Sequence, residues 1–258
     1  MSRADARGSR RGGEDLGGEI IPGRRAVREL LLSGRRTVRH VLLARERAQS
    51  DVVDEIVDLA ARADVPVRIV DGARIAREAQ IETHQGVVAL AAAVASTPIG
   101  DLCSAPDAFL VAFDGITDPR NLGAILRTAE VAGATGALLP RHRSAPLSPA
   151  AVKAAAGAIE HLRLCSVAGI ANALDETARS DVWSVGIDAD SSTSVADLTV
   201  ADAPIVLVFG AEGRGMSRLV RERCDVVASI PMYGKIESLN VAAAAAIACS
   251  EVARVRHR

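Results

Sequence analysis

From Phe109 onward, short apolar runs recur between stretches of helical spacing: Phe109–Phe113, Ala137–Leu139, Leu162–Ser166, Val182–Ile187, Ile205–Phe209 and Val226–Ile230. Each run is continuous, without the polar alternation of a half-exposed strand, as expected of strands covered on both faces. Such a series constrains the fold to an α/β architecture with a parallel sheet and helices on either side. A smaller α/β pattern precedes it: helix Arg24–Leu32, strand Val38–Ala44, helix Asp51–Ala63, strand Val65–Val70, a weaker helix at Arg74–Ala79 and strand Gly86–Ala93. Ser96–Asp107 (STPIGDLCSAPD) has the composition of a connector. Residues 1–19, rich in Gly and charge without apolar periodicity, read as a disordered basic tail. The expected division is therefore a tail over 1–19, a first unit over 20–95, a linker over 96–107 and a larger unit over 108–258.

In an open parallel sheet, ligands bind beyond the carboxyl ends of the strands. Three loops leave expected strands there with residues that packing alone does not require: Asp114–Gly123 (DGITDPRNLG), Gly210–Gly215 (GAEGRG) and Pro231–Asn240 (PMYGKIESLN). In the first, Pro119 keeps Asp118 out of the helical region, and Asn121 reads as the N-cap of a helix from Leu122. Arg127 stands about 9 Å further along that helix, its side chain leaning back toward the loop and toward any ligand held there. Taken alone, the segment fits equally well with Asn121 as a simple cap and Arg127 on a solvated face. The second loop joins a buried run to a helical one, the setting of a ligand-binding turn, although glycine also serves as a plain turn former. It lacks the G-K-[ST] of a phosphate loop. Its G-x-x-G-x-G spacing, with no acidic residue on a second strand about 20 residues later, disfavours a nicotinamide-dependent oxidoreductase. The third loop leads into an Ala-rich helix from Val241 to Ala253, with Ser238 as candidate N-cap, Asn240 near the helix start and Met232 as a soft contact for a flat ring. Its alternative is an ordinary capped helix.

Charge and composition bound the partner. A net charge of −1 and only five aromatic residues argue against a protein that coats nucleic acid with positive charge or stacks bases on an aromatic sheet. The balance is uneven, however: residues 1–48 hold 12 Arg and six acids (+6), and residues 49–258 hold 19 basic and 26 acidic side chains (−7). Arg24, Arg25, Arg28, Arg35, Arg36 and Arg39 can form a phosphate-contacting surface, which positions RNA without reading its sequence, or an ordinary solvated helix face. His84 reads as a turn or RNA-contact residue, and Glu160 as either a further polar site residue or a structural hydrogen-bonding group. Cys103, Cys165, Cys224 and Cys249 form no C-x-x-C pair and the histidines are scattered, so no metal is expected. No apolar stretch is long enough to span a bilayer and no leader-like segment opens the chain, so no membrane is expected and the location read is cytoplasmic.

Taken together and in order, the three loops resemble the signature motifs of the SpoU (TrmH-type) branch of the SPOUT superfamily, RNA ribose 2′-O-methyltransferases that use S-adenosylmethionine. N-x-G-x-x-x-R reads as Asn121, Gly123 and Arg127; G-x-E-x-x-G reads as Gly210, Glu212 and Gly215; I-P-M-x-G-x-x-x-S-L-N reads as Ile230 through Asn240 without a gap. RHRSAPLSPAAVKAAAGAIEHL, IPGRRAVRELL and THQGVVAL extend the similarity over about residues 20–256, toward bacterial members that methylate a guanosine of large-subunit ribosomal RNA. The resemblance implies an L30e-like RNA-binding unit ahead of a catalytic domain with a deep C-terminal trefoil knot. It implies an S-adenosylmethionine pocket formed by Gly210, Glu212, Gly215, Ile230, Met232, Ser238, Leu239 and Asn240, with Asn121 and Arg127 facing the ribose. It further implies a homodimer through the knot region, with helix Val241–Ala253 at the contact, and 23S rRNA as the RNA partner. A tRNA or resistance-type rRNA target stays open within that reading, as does a non-catalytic RNA-binding ribosome-assembly factor of the same fold. Ala242 departs from the small polar residue that many relatives have there, which touches packing more than chemistry.

Overall fold

Ile20 enters a sheet immediately after the Gly-rich opening segment. The computed structural model describes residues 15–47, 50–236 and 238–257. β1 (Ile20–Pro22), α1 (Arg24–Ser33), β2 (Val38–Ala44), α2 (Asp51–Arg62), β3 (Val67–Val70), α3 (Gly72–Ala79) and β4 (Val87–Ala91) follow in order. Their strands form a sheet in the order β1-β4-β2-β3, with β3 parallel to β2 and β4 antiparallel to β1 and β2. α1 and α2 bury Val27, Leu30, Val53 and Ile56 on one face, while Ile75 and Ala79 of α3 cover the other. Local chemistry sets the helix starts: Ser50 Oγ accepts from Val53 N at 3.4 Å and Asp71 Oδ1 from Arg74 N at 2.6 Å. The tail expected over 1–19 is corrected in its last part. Leu16 packs against the core, its N–H donates to Val94 O, and the carbonyls of Gly17 and Glu19 accept from Val94 and Ala91. Residues 1–14 of that expectation lie outside the described residues.

The expected linker is also partly helical. α4 (Ile99–Cys103) buries Leu102 and Cys103 under the larger sheet. Beyond it come β5 (Phe109–Asp114), α5 (Pro119–Val131), β6 (Gly136–Pro140), α6 (Pro149–Ala155), β7 (Arg163–Val167) and α7 (Ile170–Ala178). β8 (Trp183–Ile187), β9 (Ile205–Gly210), α8 (Arg218–Arg223), β10 (Val226–Ala228) and α9 (Val241–Arg256) complete the chain. The sheet order is β10-β8-β9-β5-β6-β7 and every neighbouring pair is parallel. Phe109, Val111 and Phe113 of β5 pack with α5, α6 and α9, whereas Leu110 and Ala112 pack with α4, α7 and α8. That two-sided burial is why the run is unbroken. Gly123 lets α5 lie directly on α6, since a Cβ there would stand 2.3 Å from the Ala151 carbonyl oxygen. Arg256 ties the end of α9 to the sheet, donating to Ala201 O at 2.9 Å and Asp107 O at 2.8 Å with its guanidinium over the Phe109 ring. Burial pushes the Cys224 and Cys249 thiols up to about 12 and Cys165 to about 11, so these side chains act as neutral packing groups. No helix among the described residues is long and apolar enough to cross a membrane.

One apolar cluster runs through both sheets, joining Ile21, Val27 and Leu30 to Leu126, Ala151 and Leu162. At its edge Arg36, 8% exposed, forms an ion pair with Glu160, 3% exposed; Arg36 Nε lies 2.9 Å from Glu160 Oε2, and Nη1 donates to Gly18 O and Ala92 O, each at 2.9 Å. Arg35 donates to the carbonyls of Glu160 at 3.0 Å and Leu162 at 3.4 Å. His161 Nε2 lies 3.0 Å from Glu29, and Lys153 is hydrogen-bonded to Gln85. Partial burial, then Arg24 and Arg25, lowers the Lys153 pKa from its ordinary value. These contacts take Arg36 out of the expected RNA surface and give Arg24, Arg28 and Arg35 protein partners. Arg36 is buried as a structural ion, Arg35 spans the two units, Arg28 is paired with Glu55 and Glu29, and Arg24 bonds Ser50 and Gln85. Arg25 and Arg39 stay exposed. Of the two readings of Glu160, the structural one holds.

Candidate functional site

The carboxyl ends of β8, β9 and β10 and the start of α9 enclose a cleft of about 390 Å³. That size lies within the range of small-molecule sites. Its β9 side is the segment Gly210–Gly215, closed on itself by paired hydrogen bonds between Ala211 and Gly215. The turn requires its glycines. A Cβ on Gly210 would stand 2.2 Å from Gly215 C and Met216 N, and Gly213 and Gly215 have φ of 75° and 65°. Gly210, Glu212 and Gly215 line the cleft from this side. Ile230, Met232, Ser238 and Leu239 line it from the segment before α9. Among the described residues, no group of three or more His, Cys, Asp or Glu side chains is arranged to hold a metal.

Glu212 links the three loops. Its Oε1 accepts from Asn121 Nδ2 at 2.8 Å and from Asn240 Nδ2 at 2.7 Å, and Asn240 Nδ2 also reaches Asn121 Oδ1 at 3.2 Å. Asn240 does not itself line the cleft; it is the N-cap of α9, with Oδ1 accepting from Ala242 N at 2.9 Å and Ala243 N at 3.3 Å. Capping fixes the amide so that its N–H₂ faces Glu212. Two expected caps are thereby corrected: Asn240, not Ser238, starts α9, and Asp118, not Asn121, starts α5 by accepting from Arg120 N at 2.8 Å. Pro119 at the first helical position makes Asp118 the natural cap and leaves Asn121 one turn in, free to reach Glu212.

Arg127 does not join this group. It lies in a separate groove of about 530 Å³ with Ala124, Thr128, Ala246, Ser250 and Ala253, between α5 and α9. The expected lean toward the ligand loop is therefore not seen within one chain, because six residues of helix turn Arg127 to another side than Asn121. His84 stays in the turn before β4, its Nδ1 accepting from Gly86 N at 3.1 Å.

Sequence reasoning missed Ile187, Asp188 and Asp190, which line the cleft from the carboxyl end of β8, and Phe209. Asp188 is paired with Arg221, which also donates to Asp190 O at 2.8 Å. The available signal was position alone, since this loop also leaves the carboxyl end of a buried strand but carries no glycine motif.

The sequence profile described as the SpoU rRNA Methylase family matches residues 108–250. A second profile, RNA 2′-O ribose methyltransferase substrate binding, matches residues 20–96. Over 244 residues the chain is 35% identical to a protein of Staphylococcus haemolyticus named as a TrmH family tRNA/rRNA methyltransferase, covering 93% of this chain and 96% of that one. The solved structure of the SpoU methyltransferase AviRb from Streptomyces viridochromogenes superposes with a TM-score of 0.78 at 26% identity, covering 93% of this chain and 90% of that chain. AviRb in complex with the cofactor AdoMet gives a TM-score of 0.76 at 26% identity, covering 92% and 90%.

Proposed function

The chain belongs to the SpoU rRNA methylase family, and from that premise we propose that it transfers a methyl group from S-adenosylmethionine to a ribose 2′-oxygen of RNA, on a guanosine of 23S rRNA. The observation that carries the reading is the network through which Glu212 ties Asn121 and Asn240 together at the lip of the cleft. It brings side chains from three distant segments to one point without any packing need.

The residues fit the cofactor. Ile187, Phe209, Ile230 and Leu239 give apolar walls for an adenine ring, Met232 adds a soft contact, and the glycine turn exposes main-chain groups. Asp188, Asp190 and Glu212 suit hydroxyl and ammonium groups and a cationic sulfonium. Bound there, S-adenosylmethionine supplies an electrophilic methyl group, so the protein's task is orientation, proton removal and exclusion of water. Asn121 and Glu212 would orient the ribose at the lip. An arginine side chain is protonated at ordinary pH and makes a poor base, so Arg127 would act by holding RNA phosphate and positioning the hydroxyl.

The same reading takes the protein as a cytoplasmic homodimer with a deep C-terminal trefoil knot. Ser229 exchanges hydrogen bonds with Thr193 and Val195 before the chain turns back into α9, which supports a chain end tucked beneath the 188–203 segment. α9 is apolar on both sides: Ala245, Ala248 and Val252 face the core, while Ala246, Ile247 and Ala253 face the groove or solvent. Apolar residues beyond the core-facing stripe of a helix suit burial in an assembly, and the polar side chains of α9 are confined to Ser250, Glu251, Arg254 and Arg256 in its second half. Placed at a two-fold contact, this groove would bring Arg127 to the partner's cleft. Residues 20–95 would form the L30e-like RNA-binding domain and 108–258 the catalytic domain, joined through 96–107.

Incubation with methyl-labelled S-adenosylmethionine and RNA from a strain lacking the protein should label a single 23S guanosine at the 2′ position. Label confined to tRNA would move the target, and no ribose label in any RNA would sink the reading. Gly210→Ala should weaken S-adenosylmethionine binding by about tenfold or more in calorimetry, because the turn must open to admit the methyl group. Unchanged affinity would remove that turn from the pocket.

A further inference from the structure

On the other side of the Gly210–Gly215 turn lies a second cleft, of about 900 Å³, over the carboxyl ends of β5, β6, β7 and β9. Ala211, Arg214 and Gly215 are a wall common to both clefts. The two differ in charge. The cofactor cleft is lined by Asp188, Asp190 and Glu212 against Arg214, whereas the second is lined by His142, Arg143 and Arg214 against Asp114. One carboxylate in each is already engaged, Asp114 Oδ2 accepting from Ser217 N at 2.6 Å and Asp188 pairing with Arg221, which leaves Asp190 and Glu212 against Arg214 in the first cleft and His142, Arg143 and Arg214 in the second. His142, Arg143 and Arg214 are all exposed.

From this segregation we infer that the second cleft is the phosphate-binding track for the RNA strand flanking the methylated nucleotide, with Arg143 and His142 as its contact residues. The inference rests on the methyltransferase reading and deepens it. The loop carrying these residues is held at both ends: Arg141 N donates to Val167 O at 2.9 Å and Ala145 N to Ile116 O at 2.7 Å. Arg143 itself sits at φ 57°, a left-handed conformation that side-chain-bearing residues rarely adopt and that recurs at ligand clamps. α7 opens into the same cleft at Gly169 without a side-chain cap, leaving its first amides available to an anion. Thr117 lines this cleft just ahead of α5, on the same loop that carries Asn121 to the Glu212 lip, so the second cleft and the lip share the β5–α5 loop and the Gly210–Gly215 turn. This placement supplies a basic surface beside the lip, whereas Arg24, Arg28, Arg35 and Arg36 of the first unit are engaged in protein contacts.

The test uses fluorescence anisotropy of a labelled mixed-sequence single-stranded RNA across a salt series, with S-adenosylmethionine calorimetry on the same preparations. Arg143→Ala and His142→Ala together should weaken RNA binding about tenfold and lower the salt slope by about 0.7 for each phosphate that is no longer neutralised. S-adenosylmethionine affinity should not change, which also reports that the variant is folded. Arg179→Ala, an exposed arginine at the far end of α7, should bind RNA as the parent does. A double variant with parental affinity and slope overturns the track, as does an equal loss in Arg179→Ala. If the parent protein methylates RNA while the double variant binds RNA normally, the track alone fails. If the parent binds neither S-adenosylmethionine nor RNA, the methyltransferase reading fails and takes the track with it.

Discussion

Arg36→Ala is expected to lose about 3–5 kcal/mol of folding stability, although Arg36 does not line the cleft between β8, β9 and α9. Glu160 would be left 3% exposed without its counter-charge, and Gly18 O and Ala92 O would lose their donor. Against a total stability of about 5–15 kcal/mol, such a loss is a large fraction. One apolar cluster spans both sheets, so the loss should appear as a lowered midpoint of a single urea transition and not as release of the first unit alone. Arg36→Met with Glu160→Leu removes both charges and should recover most of the midpoint, because the penalty comes from stranding one buried ion. Arg28, whose pair with Glu55 is solvent-exposed, should shift the midpoint little when changed to Ala. An Arg36→Ala midpoint matching the parent would show that the pair does not hold the two units together.

The same residue marks where the sequence ceases to be legible. Arg36 reads as one more cation in a basic stretch, since its partner lies 124 positions away and only the fold brings them together. The buried runs were readable because two-sided burial leaves a mark in the residues themselves, and all the expected strands of the larger sheet are present. β1 was not readable, because three residues show no period. Helix starts at Asn121 and Ser238 were misassigned for a local reason. Several competent caps stand within a few positions of one another in DPRN and SLN, and Pro119 and the Glu212 network decide among them. The ligand-lining residues after β8 carry carboxylates where the other loops carry glycine. Their place in the site follows from strand order, which puts β8 between β9 and β10, and not from any motif.

Arg127→Ala is expected to reduce methylation by about 10²-fold while S-adenosylmethionine affinity stays at the parental value. The separation follows from geometry, because the groove that holds Arg127 contributes no residue to the lining of the cofactor cleft. Normal turnover in the variant would remove Arg127 from the reaction. A mixing experiment then asks which cleft it serves. Arg127→Ala chains keep an intact cleft, and Gly210→Ala chains keep an intact Arg127. If the arginine acts across the two-fold contact proposed for α9, co-expressed chains of the two kinds should regain activity in about a quarter of the sites, the share expected from random pairing. Each mixed dimer then has one sound cleft facing one sound arginine. If Arg127 serves its own cleft, every site in the mixture has one impaired component and activity stays at the mean of the two variants assayed alone. Recovery would thus establish both the dimer and the direction in which Arg127 reaches, and its absence alongside measurable heterodimers would confine catalysis to the single chain.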